Sequence, residues 1–247
     1  GLKDPKNCAY PAIVCETVRQ RLVGTAVEFY NYAVDGDTTT DLLKLMEHGT
    51  KELDGADIVT LSIGANNILL PFFRCLAQLS TVLGDLNGTN ESTEDKLDIN
   101  FVFDSVNKAI RSEQFSAELS AGIAKAKADL EKVLAQIKRR APDAVIMVML
   151  VYSPYHEVEI SLPYIEQKIV FGDLSDKWVG ELDSAIKEKA VEAGCIIVDC
   201  FEPFKSKDGL LNVAISAIPP KFSIDPHPNL SGHIYIANLH IAELLKQ

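Results

Sequence analysis

The chain has 247 residues, a formal net charge of −11 from 24 Lys and Arg against 35 Asp and Glu, and a hydrophobic content of 47%. That length supports one substantial core, and the modest Gly and Pro content excludes collagen-like and low-complexity chains. The acidic balance argues against nucleic-acid binding, which depends on clusters of Lys and Arg. The longest apolar run, residues 144–151, is too short to span a membrane. No targeting segment is visible, so secretion and a cytoplasmic location both stay open.

Strand-like and helix-like segments alternate along the chain. Strands are predicted at residues 26–34, 57–63, 144–151 and 195–201. Helices are predicted at 10–22, 115–137, 175–193 and 230–246, with another that starts after Thr38. The apolar run at 144–151 is typical of a parallel strand covered on both faces. The alternation predicts a single-domain α/β sandwich, a parallel sheet between helices, with a polar insertion at about 87–100.

Three positions place unusual residues beyond the carboxyl ends of strands, where ligands bind in such sheets. Gly36 follows the first predicted strand, Asn66 follows the second, and His227 stands between two prolines ahead of the last helix. A glycine N–H and an asparagine amide can together stabilise an oxyanion, and a histidine can act as a general base. Each also has an ordinary interpretation: Gly36 as a turn glycine and Asn66 as a helix cap.

In this order, the motifs VDGDTTTDLL, TLSIGANN and DPHPNLSGH resemble blocks two, three and five of the SGNH (GDSL-type) hydrolases. The resemblance runs from about Tyr10 to the final helix. It implies a three-layer, flavodoxin-like α/β/α fold and the chemistry of esterases, lipases and carbohydrate deacylases. It also implies that Gly36 and Asn66 form the oxyanion hole and that His227 deprotonates a serine. The substrate would then be a small acyl ester, such as an acetylated carbohydrate or a short-chain lipid.

The chain departs from the family pattern at the acid and at the nucleophile. The family acid lies three residues before the histidine, where Ile224 stands, whereas Asp225 lies two before. Either Asp225 or a backbone carbonyl would therefore orient His227. The Gly-Asp-Ser block should precede the first helix, but only residues 1–9 stand there. We expect residues 1–247 to be one domain truncated at its N terminus, with a strand ending in Gly-Asp-Ser upstream of Gly1.

Other serines and aromatic residues have weaker claims to a role in the site. Gly172-Asp-Leu-Ser175 lacks a preceding strand, and Ser62 is interpreted as core packing. Trp178 and the turn from Tyr152 to Tyr155 either line the pocket or pack in the core. We interpret His233, in the first turn of the last helix, as structural.

The leading hypothesis is a serine-type ester hydrolase that works through an acyl-enzyme, and the chain without its serine is expected to be nearly inactive. The alternative is a non-catalytic carbohydrate- or ligand-binding relative that lacks the nucleophile. A flavin-binding domain is a weaker option, since no glycine-rich phosphate loop follows a strand. The five cysteines form no CxxC and the five histidines show no metal-ligand spacing, so neither a metal nor a cofactor is predicted. The oligomeric state stays open.

Overall fold

The computed structural model describes residues 5–73, 99–161, 166–217, 220–223 and 225–247. Its central sheet is parallel and has the order β1-β2-β5, formed by Ile58–Leu61, Val145–Met149 and Ile196–Val198. Val59 lies beside Ile146 across the first pair of strands, and Val148 lies beside Ile197 across the second. The predicted strands at 57–63, 144–151 and 195–201 are therefore confirmed.

Helices precede and follow these strands. They are α1 Pro5–Cys8, α2 Tyr10–Arg21, α3 Thr39–His48, α4 with residues 65–73, α5 Ile99–Ile110, α6 Glu113–Arg140, α7 Gly172–Glu192, α8 Phe201–Lys205 and α9 Leu230–Leu244. All five helix predictions are confirmed to within a few residues. Two antiparallel hairpins were not predicted: β3 Glu159–Ile160 with β4 Ile169–Val170, and β6 Ala214–Ala217 with β7 Pro220–Ser223. None of the described helices has the length and apolarity to cross a membrane.

The sheet separates two hydrophobic cores. Along β2, Ile146 and Val148 belong to one core, and Met147 and Met149 belong to the other. This alternation follows from the period of two in a β-strand. The first core includes buried residues of α6 and α7, and the second includes residues of α8 and α9. The fold is thus the expected three-layer α/β/α sandwich, with its parallel strands covered on both faces.

The predicted strand at 26–34 is wrong. These residues run without strand pairing, and most of their side chains are exposed, including Val34 at 56%. A strand needs a hydrogen-bonded neighbour, and no described segment pairs with residues 26–34. Within the described residues β1 pairs only with β2, so its other edge is open.

The open edge also explains why the interpretation of Ser62 as core packing is wrong. Ser62 directly follows β1 and is exposed, because no described strand lies on that side. Residues 87–98 of the predicted insertion lie outside the described residues, and Ile224 does too.

Candidate active site

Gly36 lies in a tight turn that leads into α3. The N–H of Asp37 donates to the carbonyl of Val34 at 3.3 Å, and Gly36 has a φ of +85°, which favours glycine. Thr38 then caps α3: its hydroxyl accepts from the N–H of Asp41, and the Asp41 carboxylate accepts from the N–H of Thr38. The side-chain hydrogen bond from Thr38, followed by that from Lys44, lowers the pKa of Asp41 to about 2. Thr38 therefore caps the helix that the sequence predicts to start after it.

Two neighbouring asparagines in α4 contact this turn. Asn66 donates from Nδ2 to the carbonyl oxygen of Asp37 at 3.0 Å. Asn67 accepts from the N–H of Thr39 and donates to its hydroxyl, both at 3.1 Å. The Asn66 amide therefore bonds to the turn that follows residues 26–34 and does not cap its own helix. One of its two amide hydrogens remains for another acceptor, since the described residues offer it no second partner.

A buried carboxylate holds the start of α3 from below. Asp129 of α6 is 1% exposed and accepts from the hydroxyls of Thr39 and Thr40, at 3.2 and 2.6 Å, and from Lys125. Burial raises the pKa of Asp129, but the hydrogen bonds from Lys125 and Thr40 outweigh that effect and lower it overall. The carboxylate is thus charged at neutral pH and fixes both threonines.

Gly122 of α6 allows this helix to come close to α4. A Cβ at this position would lie 2.2 Å from the backbone oxygen of Asn67, which is closer than any side chain can approach. The chain segment that carries Gly36 and the helix that carries Asn66 therefore rest on the same helix.

His227 lies in the loop between β7 and α9. Its Nδ1 atom is 2.6 Å from Oδ1 of Asp225, and the same oxygen accepts from the backbone N–H of His227 at 3.0 Å. Burial raises the pKa of Asp225, whereas the hydrogen bonds from His227 lower it, and the net shift is downward. Of the two groups that the sequence left open, the geometry places Asp225 at the ring.

The other ring nitrogen of His227 faces a residue that the sequence did not single out. Nε2 lies 3.2 Å from Oδ1 of Asp35, the residue before Gly36. Within the described part of the chain, the hydrogen-bond partners of this ring are therefore two aspartates and no serine. An exposed acidic residue beside a turn glycine has no distinctive sequence signal, so Asp35 was missed.

Tyr152 supports the His227 loop from the end of β2. Its hydroxyl donates to the carbonyl of Pro226 at 3.1 Å, and its ring stacks on Phe204 with 4.7 Å between centroids. Burial raises the pKa of Tyr152, which keeps the hydroxyl protonated. Asn212 adds a backbone hydrogen bond to the carbonyl of His227 at 2.9 Å.

Tyr155 and Trp178, at 3% and 6% exposed, pack in the core instead of lining a pocket.

His233 has a structural contact, as its position predicted. Its Nδ1 accepts from the backbone N–H of Tyr10 at 3.3 Å and so links α9 to α2. Burial, with a smaller contribution from nearby His227, lowers the pKa of His233.

The structure brings together all four residues that the sequence selected. Asp35 contacts His227 and adjoins Gly36, and Asn66 bonds to Asp37 on the other side of that glycine. In the described ranges, the Gly36 N–H donates no hydrogen bond. The cluster thus combines two amide donors with a histidine held by a carboxylate, a set of groups that acyl transfer can use together with a nucleophile. No group of three His, Cys, Asp or Glu among the described residues is arranged to hold a metal ion.

Comparisons with known proteins show the family that this chain matches and the solved structures that it resembles. A sequence profile of the GDSL-like lipase/acylhydrolase family matches residues 3–233. The structure resembles an extracellular lipase from Streptomyces rimosus (TM-score 0.55, 18% identity, covering 96% of this chain and 87% of that one). It also resembles phospholipase A1 from Streptomyces albidoflavus (TM-score 0.58, 16% identity, covering 96% of this chain and 86% of that one). A third similar structure is an acetylxylan esterase from Geobacillus stearothermophilus (TM-score 0.55, 14% identity, covering 96% of this chain and 80% of that one). A search of curated protein sequences found no significant match.

Proposed function

Because the chain belongs to the GDSL-like lipase/acylhydrolase family, a lineage of ester hydrolases, we propose that it is a serine-type hydrolase of small acyl esters. The observation that carries the proposal is the convergence of Gly36, Asn66 and His227 beyond the carboxyl ends of the strands. The hydrogen bond from Asn66 to Asp37 holds the turn, but it leaves one Asn66 amide hydrogen and the Gly36 N–H without a partner among the described residues. Acyl transfer gives each of them a use.

In the proposed mechanism, Nε2 of His227 takes the proton of a serine hydroxyl as the serine oxygen attacks the ester carbonyl. The carbonyl oxygen becomes an oxyanion, which the N–H of Gly36 and the amide of Asn66 stabilise. The imidazolium then gives its proton to the departing alcohol, leaving an acyl-enzyme that water cleaves by the same steps in reverse. Asp225 keeps the ring oriented and offsets its positive charge.

We propose that residues upstream of Gly1 supply the serine, on a strand that pairs with the open edge of β1. Two observations support this: β1 has one described strand neighbour, and residues 26–34 have a strand-like sequence but pair with no described strand. An open strand edge is a liability, because its unpaired N–H and C=O groups form a ready template for pairing with another strand. A Gly-Asp-Ser sequence at the end of such a strand would place its hydroxyl beside the strand ends that lead to Asn66.

The substrates of the similar structures support a small acyl ester as the substrate class. The similar proteins are named as a lipase, a phospholipase A1 and an acetylxylan esterase, so the chemistry that they share is cleavage of an acyl ester. We propose an acetylated carbohydrate or a short-chain lipid for this chain.

Hydrolysis of p-nitrophenyl acetate and butyrate tests the proposal. The protein that includes the residues upstream of Gly1 should hydrolyse at least one ester, and the chain 1–247 should retain only a trace of that rate. His227→Ala in the longer protein should reduce the rate to the same trace. If the longer protein folds but hydrolyses neither the acetate nor the butyrate ester, the proposal that it is an ester hydrolase is wrong. An active protein without an upstream Gly-Asp-Ser would contradict only the proposed nucleophile.

One observation favours a second candidate, a non-catalytic carbohydrate- or ligand-binding relative. Nε2 of His227 faces Asp35, where a hydrolase needs its serine. A longer protein that binds acetylated sugars but has no upstream serine and no esterase activity would support this candidate.

A further inference from the structure

Asp35 places an exposed carboxylate beside the nitrogen that handles the proton in the proposed reaction. Its side chain is 88% exposed, and its Oδ1 lies 3.2 Å from Nε2 of His227. In the described ranges neither Asp35 nor Asp37 forms an ion pair with a lysine or arginine. The carboxylate is therefore held near the reacting atoms by a single contact and is otherwise directed to solvent.

The chemistry of ester cleavage fixes what must pass this carboxylate. When the C–O bond of the ester breaks, the alcohol oxygen takes the proton from Nε2, so it has to come within hydrogen-bond distance of that atom. Whatever group the alcohol carries then lies a few ångströms from the Asp35 carboxylate, which must turn aside into solvent. At that distance, opposite charges attract and like charges repel, to an extent that salt reduces.

We propose that Asp35 is a specificity-determining residue that makes the site favour esters of cationic alcohols over neutral ones, and neutral over anionic. The inference rests on the proposed ester hydrolase function. Asp225 on the far side of the ring and Asp37 beyond Gly36 have the same sign as Asp35. Because Asp225 offsets the positive charge that forms on His227, and no described lysine or arginine pairs with Asp35, the negative charge of Asp35 sets the preference. Because Asp35 is exposed, its effect is modest, about two- to fivefold in kcat/KM for each step of charge.

Three acetate esters of similar shape test the proposal. The choline ester carries one positive charge, the 3,3-dimethylbutan-1-ol ester is neutral, and the hydroxypivalate ester carries one negative charge. The longer protein should hydrolyse them in that order of kcat/KM, and Asp35→Asn should bring the three values closer together, whatever its effect on the rate common to all three. Asp35→Glu should keep the order. Glu47→Gln, at the far end of α3 and 60% exposed, removes the same charge away from the site and should leave the ratios as they were. The preference should weaken in 0.5 M NaCl.

The outcomes separate the two proposals. Equal charge ratios in the unmodified protein and in Asp35→Asn, with the neutral ester still cleaved, overturn the role of Asp35 and leave the hydrolase intact. Equal losses for all three esters on Asp35→Asn would also overturn it, because Asp35 would then act on His227 and not on the alcohol. If a folded protein cleaves none of the esters, the proposed function fails and this inference fails with it.

Discussion

Nδ1 of His227 and Oδ1 of Asp225 lie 2.6 Å apart, and the same oxygen also accepts the backbone N–H of His227. The short Asp-Pro-His spacing thus produces a closed local structure in which a single carboxylate oxygen fixes both the loop and the ring. Asp225 thus contacts His227 although it stands one residue away from the usual position of the family's acid.

Asp225→Asn is expected to reduce kcat by roughly 10²- to 10⁴-fold, because the amide keeps the shape but does not stabilise the imidazolium. Its oxygen can still accept the backbone N–H of His227, so the folded structure should be retained. The measurement is p-nitrophenyl acetate hydrolysis by the longer protein, with circular dichroism as the check on folding. Asp208→Asn, an exposed change in a nearby loop, serves as the control. A kcat within threefold of the unmodified protein would show that another group orients His227.

Asn66 and Asn67 form a matched pair for separating activity from stability. Asn66→Ala removes a proposed oxyanion donor and should lower kcat by roughly 10²- to 10³-fold, while the loss of its one hydrogen bond, to the Asp37 carbonyl, should lower the free energy of unfolding by about 1 kcal/mol or less. Asn67→Ala leaves the N–H of Thr39 without its acceptor and should lower the free energy of unfolding by about 1–3 kcal/mol. Urea unfolding and ester hydrolysis on both variants decide the matter. If Asn66→Ala destabilises the protein as much as Asn67→Ala does, its role is to hold the turn.

The sequence predicted the parts of this protein that are set by local pattern. The unbroken apolar run at 144–151 indicates a strand that is buried on both faces. The apolar residues from Phe115 to Ile137 recur with a helical period, which indicates a helix that is buried on one face. Residues 26–34 have an equally good strand pattern but form no strand, because pairing depends on a neighbour that the pattern cannot supply. Asp35 was not assigned a role, and Tyr152 was predicted only to line the pocket or pack in the core, for a related reason. Their contacts to His227 and Pro226 connect positions 192 and 74 residues apart, and no local pattern records such contacts.

Tyr152→Phe tests whether the His227 loop depends on the hydrogen bond to Pro226. Phenylalanine keeps the stacking on Phe204 and removes only the hydroxyl, which leaves the Pro226 carbonyl without this donor. The free energy of unfolding should fall by about 1 kcal/mol. We expect kcat to fall severalfold while KM changes little, because a loosened loop misplaces the base without touching the substrate. Tyr235→Phe, whose ring packs against Phe204 at 5.9 Å, is the control that should preserve kcat.

Asp183 should make the stability of the protein decrease as the pH rises. It is 5% exposed, its Oδ1 accepts from the N–H of Val151 at 2.7 Å, and its Oδ2 has no partner among the described residues. Burial, opposed by the Val151 hydrogen bond and aided by the charge of Asp199, raises the pKa of Asp183 to about 8. An unfolded aspartate titrates at about 3.9, so the folded state holds this proton over a range in which the unfolded state has lost it.

The sign of the effect follows from that difference. The stability that protonated Asp183 contributes is fully present below about pH 4, decreases by about 1.4 kcal/mol per pH unit above it, and is lost once the pH passes the folded pKa. Asp183→Asn imitates the protonated acid and does not titrate. Urea unfolding gives the free energy of unfolding of both proteins at pH 5 and at pH 7. The value for the variant minus that for the unmodified protein should be higher at pH 7 than at pH 5 by roughly 3 kcal/mol. Titration of all other groups cancels in this difference, and Asp173→Asn, an exposed change on the same helix, should show no such shift. A difference that stays constant between the two pH values would mean that Asp183 is ionised in the folded protein throughout this range.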